Sequence, residues 1–285
     1  MCSASVTMAP LDDLKSLYDR RGYVGPFAAF ERRELERTGI VSVVGSLDKV
    51  PGWARNRHLD IPAIAEICRN ESVISCVRKV LGPNLLMWRS NIFAISSGGK
   101  GLRWHQDIYR TLLDSPPGAA NCSAQINFTD STKLNTVSII PGSHRWTDDE
   151  LRERGYRMEP GSDRDAYGAP RWDVASGEEV LDVPMMAGEF FVFHPRLLHA
   201  SADARWFRGA ASELSLILRL RRRLLSKYAN WSGKRSVRYS ITLRIATVDT
   251  KVLPAAFVEV PARATAVLLA GTDTAGINRL GAWAT

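Results

Sequence analysis

The chain has 285 residues, 45% of them hydrophobic and 24% charged, which gives it material for a sizeable core and excludes a disordered or collagen-like protein. Its four cysteines, Cys2, Cys68, Cys76 and Cys122, are scattered without zinc-type pairing, so a disulfide framework is excluded and reduced thiols are expected. The opening "MCSASVTMAPLDD" lacks a basic segment followed by an apolar one, no stretch is apolar enough to cross a bilayer, and the net charge is +8; a cytoplasmic protein is expected.

The front third reads as helical. "PLDDLKSLYDRRG" places Leu11, Leu14 and Leu17 at helical spacing before Gly22, and "FERRELERTG" predicts a second short helix. "DIPAIAEICRNESVISCVRKVLGP" predicts a longer one. There Asp60 stands as the cap, Pro62 lies in the first turn, Val73, Ile74, Val77 and Leu81 form an apolar stripe, and Gly82-Pro83 end it.

From residue 85 onward short apolar or alternating runs bounded by turn residues take over: "LLMWRSNIFAI", "CSAQINFTD", "TVSIIPGSH", "GEFFVFHP" and "SVRYSITLRIATV". Many short strands without an internal repeat predict a mainly β protein with a double-stranded β-helix, the jelly roll of cupins. A single domain over 1–285 is expected. Its helical layer spans about 9–82 and its jelly-roll core about 85–260.

Between these strands lies "RWHQDIYR". On a strand, residues i and i+2 share a face, so His105 and Asp107 project side by side, an arrangement suited to a metal ion. A third ligand must come from elsewhere. Of the other histidines, His58 precedes a helix, His144 sits in the turn "PGSH", and His194 directly precedes Pro195. His199 follows an apolar strand and a turn, near the opening of a sheet, and is the better third ligand. Two imidazoles and one carboxylate form the facial triad of non-haem Fe(II) oxygenases, which leaves coordination positions open.

H-x-D alone is a weak signal, and the surrounding words strengthen it. "WHQD", "NFTDSTKLNTVSIIPGSHRW", "AGEFFVFHPRLLHAS" and "RYSITLRIA", in that order, resemble the phytanoyl-CoA dioxygenase-like family of Fe(II)/2-oxoglutarate-dependent oxygenases. The resemblance implies that His105, Asp107 and His199 hold the iron and act as the catalytic centre. It places Ser201 near the cosubstrate carboxylate and gives the distal carboxylate of 2-oxoglutarate to Arg238. Fe(II), 2-oxoglutarate and dioxygen are the implied cofactors. The implied reaction decarboxylates the cosubstrate to succinate and oxidises an unactivated C–H bond of a small molecule, by hydroxylation, desaturation or cyclisation. Related halogenases lack the carboxylate, so Asp107 points to oxygen chemistry, and a hydroxylase of secondary metabolism is expected.

The family's arginine ordinarily follows the distal histidine by about a dozen residues, whereas Arg238 follows His199 by 39, so an insertion of about 202–236 is expected. If "ELSLILRLRRRLLSKYANW" is instead the usual strand, Arg219 takes the cosubstrate role; Arg244 is a third candidate. The need for an arginine is physical. A guanidinium meets a carboxylate with two charge-assisted hydrogen bonds and stays protonated when partly buried. Gln125 and Asn127, alternating with apolar neighbours, are further candidate donors on the inward face, or simply polar residues facing solvent.

Two segments bear on the substrate. Residues 145–183, long, polar and rich in Gly, Pro and Asp, read as a lid or a surface excursion, in which Trp146, Tyr156, Tyr167 and Trp172 are candidate lining residues. Between Arg205 and Arg238 ten basic residues face the single acid Glu213, a local excess of +9. That run reads as a solvated face or as a field for an anionic or carrier-bound substrate. No stacking-aromatic array, zinc finger or helix-turn-helix accompanies it, so nucleic acid is not expected as a partner. The competing functions are a non-catalytic metal-binding jelly roll and a cupin-type enzyme that uses another metal without 2-oxoglutarate.

Overall fold

The computed structural model describes residues 11–47, 54–97, 101–108, 111–162, 170–174, 177–201, 236–258 and 261–285. In chain order the elements are α1 (Leu11–Arg21), β1 (Tyr23–Ala28), α2 (Arg32–Arg37), α3 (Ile40–Leu47), α4 (Pro62–Cys68), α5 (Glu71–Leu81), β2 (Leu85–Ser96), β3 (Leu113–Asp114), β4 (Asn121–Asn127) and β5 (Val137–Ile139). There follow α6 (Asp148–Glu153), β6 (Arg157–Met158), β7 (Trp172–Asp173), β8 (Leu181–Val183), β9 (Glu189–Phe193), β10 (His199–Ser201), β11 (Val237–Thr247), β12 (Lys251–Val252) and β13 (Val267–Ala270). Among these residues no helix is long and apolar enough to cross a membrane, and Cys68, Cys76 and Cys122 are buried free thiols.

Two antiparallel sheets form the jelly roll. The larger has the order β1-β9-β4-β11-β2-β13, and the smaller the order β10-β5-β8. The expected mainly β fold with a helical front is what the chain adopts. α1 and α5 cover the outer face of the larger sheet, where Val73, Val77 and Val80 pack with Cys122, Ala124 and Ile126 of β4 and with Ile241, Leu243 and Ile245 of β11. Burying each such side chain contributes about 1.5–3 kcal/mol. A second cluster lies between the sheets, with Val137, Ile139, Val183, Phe191, Phe193 and Leu197.

Alternation along β4 and β11 therefore has an unusual outcome. The apolar half of each strand faces the helices, and the polar half (Ser123, Gln125 and Asn127; Arg238, Ser240, Thr242 and Arg244) is turned inward, with every one of these seven at most 5% exposed. The register sets Arg244 opposite Ser123 and Thr242 opposite Gln125.

The long helix expected over 60–82 is two helices. Asn70 interrupts it because its side-chain carbonyl accepts from the Val73 N–H at 3.2 Å, capping α5, while the Arg69 N–H closes α4 on Ala65 and Glu66. Asp60 is no cap either; Ile61 holds that position, and the carboxylate pairs instead with Arg57 and Arg263 at 2.9 and 3.0 Å. β1 is absent from the sequence-based expectation because "YVGPFA" contains a Gly-Pro pair that reads as a turn. It survives as a strand at the sheet edge, where a missing N–H costs little.

His58, in a short 3-10 turn, is wholly buried, with Nδ1 2.7 Å from Ser90 Oγ and the ring edge-on to Trp283 at 5.6 Å. Burial pushes its pKa down to about 3. The unfolded chain takes up a proton near pH 6.5 that the folded chain refuses, so the stability is complete above that pH and is lost as the pH falls towards 3, by about 1.4 kcal/mol per unit. Urea unfolding at pH 7 and pH 5 is expected to show a loss smaller by about 2 kcal/mol in His58→Gln than in the native chain. Equal losses would remove His58 as the source.

Candidate functional site

His105 and Asp107 do not lie on a regular strand, contrary to expectation; only His105 makes an isolated bridge, and the next three residues follow no ladder. Backbone bonds nevertheless hold the segment extended. His105 exchanges N–H and carbonyl with His199 at 3.0 and 3.1 Å, the Gln106 N–H reaches Pro170 O at 3.1 Å, and the Asp107 N–H reaches Pro195 O at 2.6 Å. The i, i+2 relation thus survives without a strand, and His105 and His199 are set directly opposite each other.

The ligand atoms of His105, Asp107 and His199 all lie within 4.8 Å of one another. His105 Nε2 is 3.7 Å from Asp107 Oδ1, and His199 Nε2 is 3.6 Å from Asp107 Oδ2. These separations are too long for hydrogen bonds and short enough for one ion to bridge. Each imidazole donates Nδ1–H to a carbonyl two residues back, His105 to Arg103 O at 2.7 Å and His199 to Leu197 O at 2.9 Å. That fixes the tautomer and turns both Nε2 lone pairs inward. Burial, the largest cause for both, pushes the pKa of His105 down and that of His199 to about 3, with His105 adding to the latter shift. Both rings are therefore neutral at pH 7 and ready to ligate.

Around this centre the inward faces of β4 and β11 supply further groups. Arg244 Nη1 donates to Asp107 Oδ2 and to Ser123 Oγ, and Ser123 Oγ donates to the same carboxylate oxygen at 3.4 Å. Arg244, one of three arginines weighed for the cosubstrate, is thus the partner of the candidate metal ligand. Arg238 is in a different state. It is 2% exposed, its pKa is lowered to about 10 by burial, and its Nε and Nη1 have no hydrogen-bond partner among the described residues. A buried guanidinium with open donors fits a carboxylate supplied by a ligand. It lines the same space as His105, His199, Gln125, Ser201 and Thr242.

Ser201 shares that wall, its hydroxyl accepting the Leu102 N–H at 3.1 Å. Gln125 and Asn127 are buried, so the solvent-face alternative is overturned. Asn127 lies outside the shared space; its amide oxygen accepts from Gln125 Nε2 at 3.3 Å and its Nδ2 donates to Met185 O at 3.4 Å. His194 is not in the cluster. Arg219 and the basic segment 202–235 fall outside the described residues, as does Tyr167.

Sequence reasoning missed the supports of the centre. Trp172 Nε1 donates to Gln106 Oε1 at 3.2 Å, and Gln106 Nε2 donates to Arg196 O at 2.7 Å, which pins the residue between the two ligands. Tyr156 and Trp172, expected as substrate-lining aromatics, are instead packed with Trp104, Ile140, Leu151 and Leu198 in a core of their own. Arg103 ties this layer down through Glu159 and Asp173, both at 3.0 Å. The legible signal was spacing: "CSAQIN" and "VRYSITLR" each carry polar residues at every second position.

Fold and site together define a jelly-roll protein with a two-histidine, one-carboxylate centre beside an open guanidinium. Residues 53–205 match the phytanoyl-CoA dioxygenase (PhyH) family, and the chain belongs to that family of Fe(II)/2-oxoglutarate-dependent oxygenases. It is 27% identical over 206 residues to a probable alpha-ketoglutarate-dependent hypophosphite dioxygenase of Stutzerimonas stutzeri; the match covers 70% of this chain and 65% of that relative's length. Similar solved structures include CytC3 with Fe(II) and alpha-ketoglutarate (20% identity, TM-score 0.62, 98% of this chain and 94% of that one). The apo non-heme monooxygenase ThoJ (20%, 0.63, 95% and 88%) and the epimerase SnoN in complex with Fe3+, alpha-ketoglutarate and nogalamycin RO (14%, 0.58, 96% and 95%) are also similar. At these identities the structures show the shared fold.

Proposed function

We propose that the chain is a 2-oxoglutarate-dependent non-haem iron dioxygenase that hydroxylates an unactivated C–H bond of a small molecule in secondary metabolism. The observation that carries this reading is the convergence of His105, Asp107 and His199 beside the buried guanidinium of Arg238, whose Nε and Nη1 have no partner among the described residues. The three side chains would hold Fe(II), which with bound 2-oxoglutarate would supply the oxidation of a C–H bond by dioxygen. Arg238 anchors the distal carboxylate of the cosubstrate by a charge-assisted pair, with Ser201 and Gln125 as neutral donors on the same wall. Arg244 and Ser123 hold Asp107 through Oδ2 and so orient its other oxygen towards His105. The inward Nε2 atoms would fix where the ion sits.

Asp107 favours oxygen chemistry over halide binding, since a carboxylate occupies the position a halide needs. The test is anaerobic loading with Fe(II) and 2-oxoglutarate followed by admission of dioxygen. Succinate release that requires both, and that Zn2+ does not support, is expected. Metal uptake without any succinate would leave a binding protein, and succinate-free turnover with another metal would leave a cupin of different chemistry. The basic stretch is proposed to draw in an anionic or carrier-bound substrate. Reversing Arg221, Arg222 and Arg223 to Glu is expected to lower substrate kcat/KM and its sensitivity to salt while substrate-free 2-oxoglutarate consumption stays unchanged. Unchanged kinetics at low salt would leave a solvated face.

A further inference from the structure

A second space adjoins the centre. An open cleft of about 690 Å3 reaches Asp107 and Ile108 from the side of the helical layer. One boundary is the turn His194–Arg196 between β9 and β10, whose Pro195 carbonyl accepts the Asp107 N–H at 2.6 Å. Another is one face of α1, where Lys15, Tyr18 and Asp19 recur at helical spacing, and a third is formed by Leu113 of β3 and the loop after it that carries Ala119. Asn121, at the start of β4, also lines it, two residues before the Ser123 that contacts Asp107 Oδ2. Asp107 thus borders the cleft, while His105 and His199 line the polar space on the other side of the triad.

Its size and chemistry select among substrates. Pockets for drug-sized organic molecules span roughly 300–1,000 Å3, and a small oxyanion such as hypophosphite would leave most of this cleft empty. Capture of such an anion calls for unspent cationic donors. Among the described residues the two cationic side chains here already have partners: Lys15 Nζ lies 2.5 Å from Asp19, and Arg196 Nη2 donates to Trp146 O at 2.7 Å and stands 3.8 Å from Asp148. Val80, Leu81, Ile108 and Leu113 supply apolar wall, interrupted by Tyr18, Asn121 and His194 as polar points.

We infer that this cleft seats the substrate, and that the part entering it is an uncharged, amphiphilic organic group of ring-system size rather than a small oxyanion. The inference rests on the metal reading above. Any charge or carrier on the substrate stays at the rim.

The uncharged aromatic amphiphile N-phenyl-1-naphthylamine serves as probe, read by its fluorescence on the full chain. Saturable binding is expected, weakened at least tenfold in Ala119→Trp, whose indole fills the cleft, with hypophosphite unable to displace the probe. Ser115→Trp, at an exposed cleft position, provides the same plug should the first variant fail to fold. One equivalent of Cu2+, its uptake followed separately by calorimetry, is expected to quench most of the bound probe's emission, and His199→Ala to abolish the quenching while the probe still binds. Probe binding that is absent or insensitive to both plugs, displacement by hypophosphite, or full emission with copper bound would each overturn the inference. Failure of the chain to take up copper at all would instead sink the metal reading beneath it, and calorimetry tells the two apart.

Discussion

His199→Ala and Asp107→Ala are both expected to abolish Fe(II) retention and turnover, and only the second to cost the fold heavily. His199 donates Nδ1–H to its own chain and leaves no charge behind when truncated. Asp107 is 2% exposed and pairs with Arg244, whose side chain is 6% exposed, so its removal strands a buried guanidinium. Breaking such a pair from one side costs about 3–5 kcal/mol. From the sequence, all three ligand variants are expected to leave the fold largely intact; the Arg244 contact restricts that to the histidines. Urea unfolding beside Co2+ titration of both variants checks it. Asp107→Ala with native metal occupancy would remove the aspartate from the triad, and native stability would remove the buried pair.

Arg238→Leu is expected to raise the 2-oxoglutarate requirement by about 30- to 150-fold, the equivalent of the 2–3 kcal/mol that a charge-assisted bidentate pair contributes. A second effect separates it from Arg219→Leu. In the ligand-free chain Nε and Nη1 of this guanidinium are buried with no partner among the described residues, so replacing it by a shorter apolar side chain relieves a desolvation cost. The ligand-free variant is expected to melt no lower than the native chain, while the rise in Tm that 2-oxoglutarate confers disappears. Arg219→Leu is expected to keep that rise. The opposite ranking would transfer the cosubstrate to Arg219.

Much of the centre was legible because its signals are local. H-x-D places two ligands on one side of any extended segment, and "FHPRLLHAS" offers two histidines of which the one after the turn is the better placed near the opening of a sheet. The helical layer was less legible at its joints. Asn70 sits inside a good apolar stripe and still ends a helix, since its short amide competes for the backbone. The aromatic excursion misled because polar composition in "RGYRMEPGSDRD" conceals that Tyr156 and Trp172 find Trp104, a partner far away in the chain.

Side-chain period determined from sequence alone that Arg238, Ser240, Thr242 and Arg244 share one face of a strand, and that Gln125 and Asn127 share one face of another, because successive residues of an extended chain point to opposite sides whatever they touch. Only the tertiary structure decided that both polar faces turn into the barrel, since that depends on where the helices lay their apolar stripe. It alone divided the arginines as well. The register of β11 on β4 sets Arg244 opposite Ser123 and within reach of Asp107, leaving Nε and Nη1 of Arg238 without a partner among the described residues, and register arises from pairing between distant segments rather than from either segment's own pattern.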